Sequence, residues 1–208
     1  MNLRGKRVGA IKRFHGPAGR PQRRPNGRSS LVHMSSTGAN RTPSALPFHC
    51  VNLVTDDITD DDAMGLALTE AARASEHGDV PVGAIALVGG KVVSRAHNRR
   101  EVDGDPTAHA ELLVLREAAA ALGRWRLDDV TVVVTLEPCP MCAGALVAGR
   151  VARVVFGVPD PKAGACGSLY NLCVDPRLNH EVAVTAGVRA AEAAALLTDF
   201  FKDARRPG

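Results

Sequence analysis

Apolar residues recur three and four positions apart at Met64, Ala67, Leu68, Ala71 and Ala72, the spacing of a helix with one buried face. Thr59 starts it, Asp60, Asp61 and Asp62 place negative charge in its first turn, and Gly78 stops it. The pattern then changes period. Gly83-Ala84-Ile85-Ala86-Leu87-Val88 is a short unbroken apolar run, as in a buried strand. Gly89-Gly90 makes a two-residue hairpin turn, Lys91 to His97 is the returning strand, and Asn98 ends it. Arg99 to Gly104 reads as a loop. A second helix is predicted to open with Asp105 as N-cap and Pro106 at the first helical position, and to run to about Leu122. Trp125 is expected to pack beneath it.

Val130 to Val134 is β-branched throughout, the composition of a central strand. Pro140 after Cys139 repeats the helix-start device, and that helix ends near Gly149. Val151 to Phe156 is a further strand, reached through a helix and so parallel to its predecessor. A Gly/Pro-rich loop from Gly157 to Ser168, a helical turn at Leu169 to Cys173, a short strand at Glu181 to Val184 and a closing helix at Ala190 to Ala204 complete the chain. The order α-β-β-α-β-α-β-loop-β-α predicts an α/β fold, a five-stranded mixed sheet between helical layers.

Composition changes this picture at one end. Residues 1–50 hold ten Lys or Arg and no acid, whereas 51–208 hold sixteen basic and twenty-two acidic residues, a net −6. The basic character therefore belongs to the leading segment and does not argue for nucleic-acid binding by the folded part. Gly5, Gly9, Gly16, Gly19, Pro17, Pro21 and Pro25 break any long helix there. We divide the chain into a disordered basic extension, 1–56, and a folded domain, 57–208. Three readings stand for the extension: translated sequence upstream of the true start, which is preferred; a basic tail adding non-specific RNA affinity; or an organelle transit peptide. No apolar run approaches membrane-spanning length. Five Cys, an odd number, argue against a disulfide framework and for a reducing, cytoplasmic setting.

The candidate chemistry lies in Asp105-Pro106-Thr107-Ala108-His109-Ala110-Glu111 and Glu137-Pro138-Cys139-Pro140-Met141-Cys142. His109, Cys139 and Cys142 offer imidazole and thiolate, the donors zinc prefers. Three protein donors leave a fourth corner for water, the catalytic pattern. Helix starts favour thiolate over thiol. Glu111, two residues from His109, is better placed to handle protons than to bind metal. Against this stand a structural site completed by Cys166, Cys173 or His180, and a thioredoxin-like redox pair that would leave His109 without a task.

His-x-Glu followed by Pro-Cys-x-x-Cys is the signature of the zinc deaminases. From about Thr59 to Arg206 the chain resembles the bacterial tRNA-specific adenosine deaminases of the zinc-dependent cytidine/deoxycytidylate deaminase superfamily. The resemblance is carried by Val80-Pro81-Val82-Gly83-Ala84, Asn98-Arg99, Pro106 to Glu111, Val134 to Cys139, Met141 to Ala145, Val154 to Gly157, Gly167-Ser168-Leu169, Asn179-His180 and Leu196 to Phe201. It implies a three-layer α/β/α cytidine-deaminase-like fold, one zinc per subunit on His109, Cys139 and Cys142, and Glu111 as catalytic proton shuttle. It implies hydrolysis of adenosine to inosine at the wobble position of a tRNA anticodon stem-loop, usually that of an arginine tRNA, by a homodimer. It also implies that Asn98 meets the base edge and that Val82, Ala110 and Leu136 wall the pocket. Asp160 would touch a flanking nucleotide, and Phe200 and Phe201 would end the closing helix near the site. Lys162, Lys202, Arg205 and Arg206 are candidates for phosphate contacts. Two rivals remain open: a deaminase of free bases or nucleosides with the same zinc motif, and a zinc-stabilised RNA-binding subunit without activity, which could dispense with Glu111.

Overall fold

The computed structural model describes residues 58–203 and Arg205; the extension assigned to 1–56, and Arg206, lie outside the described residues. The elements are α1 (Asp60–Ser75), β1 (Gly83–Val88), β2 (Lys91–His97), α2 (Arg100–Asp103), α3 (Ala110–Leu122), β3 (Val130–Leu136), α4 (Pro140–Ala148), β4 (Arg153–Val158), β5 (Ala183–Ala186) and α5 (Ala190–Asp203). The strands form one sheet in the order β2-β1-β3-β4-β5. β1 is antiparallel to both β2 and β3, while β3, β4 and β5 run parallel. The expected five-stranded mixed sheet is therefore present.

Alternation along the strands builds the layers. Ala84, Ala86, Val132, Val134, Val154 and Phe156 pack with Val114, Leu115 and Ala118 of α3 and Ala143 and Leu146 of α4. Their neighbours Ile85, Leu87, Val133 and Val155 pack with Met64, Ala67 and Leu68 of α1 and Ala193 of α5. A strand covered on both faces reads as a near-continuous apolar run, as β3 does through Val132, Val133 and Val134. Gly83 lets α1 approach the start of β1, since a Cβ there would overlap the backbone of Ala67 and Ala71. The start of α1 is held by reciprocal Thr59–Asp62 capping bonds and by a bidentate Arg153–Asp60 pair at 2.7 Å.

Five local expectations need correction. Helix α3 opens at Ala110 with His109 as N-cap, not at Asp105. The Asp105 carboxylate instead accepts the Thr107 amide and hydroxyl, both at 2.7 Å, closing a turn that takes Pro106 and Thr107 out of the helix. Arg100–Asp103 forms a short helix where a loop is expected, because the Asp79 carboxylate accepts the Glu101 and Val102 amides at its start. Leu169 to Cys173 is not a helical turn: Gly167 donates to the Tyr170 carbonyl and Cys166 bridges Asn171 in a tight antiparallel return. Trp125 does not pack under α3. It is 63% exposed, because Gly123, with φ 65°, turns the chain outward and Leu127 takes the buried place. The strands assigned to Val151–Phe156 and Glu181–Val184 each lie two residues further along.

Candidate active site

Two helix starts meet at the end of β3. Cys139 is the N-cap of α4 and Pro140 follows it at the first helical turn, as the sequence predicts. Cys142 lies one turn along and is fully buried. Across from it, His109 is the N-cap of α3, with an extended backbone (φ −79°, ψ 146°). His109 makes no side-chain cap bond, and the first amide of the helix is taken by a distant residue: Ala110 donates its N–H to Asn98 Oδ1 at 3.0 Å. The imidazole faces the sulfurs.

His109 Nδ1 lies 3.5 Å from Cys142 Sγ and 3.8 Å from Cys139 Sγ, and the two sulfurs are 3.6 Å apart. In a tetrahedron with Zn–S of about 2.3 Å and Zn–N of about 2.0–2.1 Å, such edges measure about 3.8 Å and about 3.6 Å. The donor set and its spacing fit zinc. Among the described residues this is the one His/Cys/Asp/Glu group able to hold a metal. The residues proposed as a fourth structural ligand are elsewhere engaged. Cys166 and Cys173 face each other at 3.4 Å, and His180 Nε2 meets the Val151 carbonyl at 2.7 Å.

The thiols share their protons unequally. The Cys142 S–H and the His109 ring bring Cys139 down to about 4, while Cys142 is pushed well up by the same sulfur and by burial. Metal binding deprotonates both. His109 is held above its ordinary value, first by Cys139 and then by the negative charge of Glu111. Glu111 sits in the first turn of α3, 4% exposed, and burial raises its carboxyl above the usual range. A cavity opens beside this cluster, lined by Val82, Asn98, Arg100, Leu136, Glu137 and Asp160 as well as His109, Glu111 and Cys139.

The family model of the MafB19-like deaminases matches residues 58–205. A tRNA-specific adenosine deaminase of Bacillus subtilis (strain 168) is 50% identical over 140 residues, 67% of this chain and 87% of that protein. The chain belongs to the tRNA-specific adenosine deaminases. A tRNA(Ile)-lysidine synthase of Deinococcus radiodurans is also 50% identical, over 145 residues, 69% of this chain; the match spans only 25% of that protein. A solved structure from work on A-to-I editing by tRNA:A34 deaminases at the wobble position of transfer RNA is 42% identical, with a TM-score of 0.63. It covers 65% of this chain and 98% of its own. That match supports the cytidine-deaminase-like α/β fold.

In this adenosine deaminase the other sequence-selected residues divide into two groups. Val82, Asn98, Leu136 and Asp160 line the cavity. Phe201, 45% exposed, lines an adjoining groove with Leu136, Asp160, Lys162 and Leu197. Ala110 lies in the core with no exposure and contributes its amide to Asn98 rather than a wall to the cavity. Phe200 packs edge-on against Phe201, at 5.3 Å between ring centroids, and faces a different hollow, by Ser75 and Gly78. Lys202 pairs with Asp199, and Arg205 donates to the Phe201 carbonyl.

Sequence reasoning missed two residues. Arg100 lines the cavity mouth on the short helix α2. Glu137 stands in the motif but carried no role there, and it lies at the cavity wall. Its only sequence signal is a carboxylate at the end of an apolar strand, where a buried charge needs partners.

Proposed function

We propose that this protein hydrolyses adenosine to inosine in tRNA, at the wobble position of the anticodon, in an arginine tRNA by resemblance. The observation that carries the proposal is the cluster of His109, Cys139 and Cys142, with donors 3.5–3.8 Å apart and the buried carboxyl of Glu111 beside it. The three residues would hold one zinc ion. Zinc supplies the acidity that makes water a nucleophile at neutral pH. Glu111 takes a proton from the water that attacks C6 of adenine, delivers it to the ring nitrogen, and passes a second to the departing ammonia. Water adds, ammonia leaves, and inosine remains.

Asn98 positions the base. Its carbonyl oxygen is committed to the Ala110 amide, so its NH2 group is the one that addresses an acceptor on the base edge. Val82 and Leu136 form apolar walls. The adjoining groove with Asp160 and Phe201 accepts a flanking nucleotide, which favours a strand over a free base. An anticodon loop presents its base unpaired, so extrusion costs little. Residues 57–208 form the deaminase domain and 1–56 a basic extension. The active form is a homodimer working in the cytoplasm. No helix among the described residues is long and apolar enough to cross a membrane.

The test incubates the zinc-loaded protein with an anticodon stem-loop, adenosine, guanine, cytosine and cytidine, and measures inosine and ammonia. Inosine from the stem-loop alone is expected. Release from the free bases or nucleosides alone, or RNA binding without ammonia, would replace the proposal with one of its rivals.

A further inference from the structure

Glu137 is 2% exposed and its carboxylate accepts four hydrogen bonds. Oε1 accepts the amides of Cys166 and Ser168, both at 3.0 Å. Oε2 accepts the Asp160 amide at 2.9 Å and the Ser168 hydroxyl. All four donors belong to the single loop 160–168 that follows β4. The backbone adds two more ties: Glu137 N–H to the Val158 carbonyl at 2.9 Å and Ala165 N–H to the Pro138 carbonyl at 2.8 Å. Gly164 packs directly on the carboxylate; a Cβ there would overlap Glu137 Cδ and Oε2.

This loop supplies Asp160 and Ala163 to the cavity that holds His109 and Glu111, and Asp160, Pro161 and Lys162 to the adjoining groove. Glu137 itself stands two residues before Cys139. One short stretch of chain therefore carries a donor of the cluster, Cys139, and, through Glu137, holds the loop that supplies Asp160 and Ala163 to the cavity.

We propose that Glu137 is a positioning residue: an acceptor-only carboxylate that fixes the 160–168 loop at a set distance from the metal cluster, so that the base enters a preformed slot. The proposal rests on the deamination reading for its kinetic part only. Chemistry favours this role over proton transfer. Both oxygens are occupied by donors from the loop, so no lone pair faces the cavity unengaged. A Gln at this position would present an NH2 group to amides that are themselves donors, and would expel part of the loop.

The experiment compares wild type with Glu137→Gln, Ser168→Ala and Gly164→Ala. It measures amide hydrogen exchange at Asp160, Cys166 and Ser168, bound zinc, and kcat and KM on the anticodon stem-loop. Glu137→Gln should speed exchange of those amides by about tenfold or more, the loss of charge-assisted bonds. Zinc content should stay unchanged, with KM raised about tenfold and kcat within about threefold of wild type. Ser168→Ala, which removes one exposed donor, should move the same quantities by about threefold. Gly164→Ala should mimic Glu137→Gln by pushing the carboxylate away from the loop side. Unchanged exchange in the loop, or a fall in kcat with KM unmoved, overturns the assignment. If Glu137→Gln does not fold, Ser168→Ala and Gly164→Ala decide by the same readouts. If wild type makes no inosine, the deamination reading fails while the exchange measurement still decides whether Glu137 holds the loop.

Discussion

Glu111 and Glu137 are two buried glutamates on the wall of one cavity, yet they are built as opposites. Glu137 is surrounded by donors: burial works against its charge, but the Ser168 hydroxyl and three amides hold its carboxyl below the usual range. Glu111 has its own amide and the Cys142 thiol near it, and burial pushes its carboxyl up. A carboxylate saturated with donors is fixed in its charge and in its place. A buried carboxyl with few donors exchanges its proton at small cost. The difference separates the group that can move protons from the group that can only hold structure, although both are the same amino acid at similar depth.

Substitutions sharpen that contrast. The largest effect is expected at the cluster itself: Cys142→Ala should abolish bound zinc and reduce inosine formation to background, measured by metal analysis alongside the stem-loop assay. Next comes Glu111→Gln. It should retain zinc and lower kcat by about 10²–10⁴-fold, with the urea midpoint unchanged or raised, because an amide mimics the neutral acid that burial favours. Full activity in this variant would remove Glu111 from the mechanism and with it the contrast. Glu137→Gln should do the reverse, losing about 2–3 kcal/mol of stability in urea unfolding while zinc stays bound. If both variants lose stability equally, the two carboxylates are not different in kind.

The smallest effect serves as a control far from both. The Arg153 guanidinium holds the Asp60 carboxyl below its ordinary value through a bidentate bond. A lowered folded value means stability that is present above the unfolded value near 3.8 and is lost as pH falls through the folded one. Asp60→Asn should therefore cost less than ~1 kcal/mol at pH 7, since both partners are partly solvated. The gap to wild type should close as pH falls through the lowered folded value, with kcat at pH 7 unmoved.

Much of this was legible without coordinates, for a reason that varies by residue. The helix and strand periods of α1, β1, β3 and α4 come from local spacing, and the sheet realised them. The convergence of His109, Cys139 and Cys142 was legible as a candidate metal site because zinc accepts few donor types and Cys-x-x-Cys spacing lies within one helical turn. The start of α3 was misplaced because Asp105 and Pro106 satisfy the same local rule as an N-cap. The competing turn with Thr107, and the donation of Ala110 N–H to Asn98, are decided by groups that local spacing does not bring together. Trp125 shows the same limit, since a large apolar residue reads as buried until Gly123 turns the chain away from the core.

Donor identity and short-range spacing are written into consecutive residues, so the sequence by itself determined the three donors that could hold a metal, the presence of a nearby acid and the layered α/β architecture. Which acid is free and which is bound depends on donors supplied from 23 to 31 positions away in the chain. Only the packing of β3 against β4 and its following loop brings Asp160, Cys166 and Ser168 to Glu137. A carboxylate's proton affinity is set by what surrounds it, and that surrounding exists only once the chain has folded.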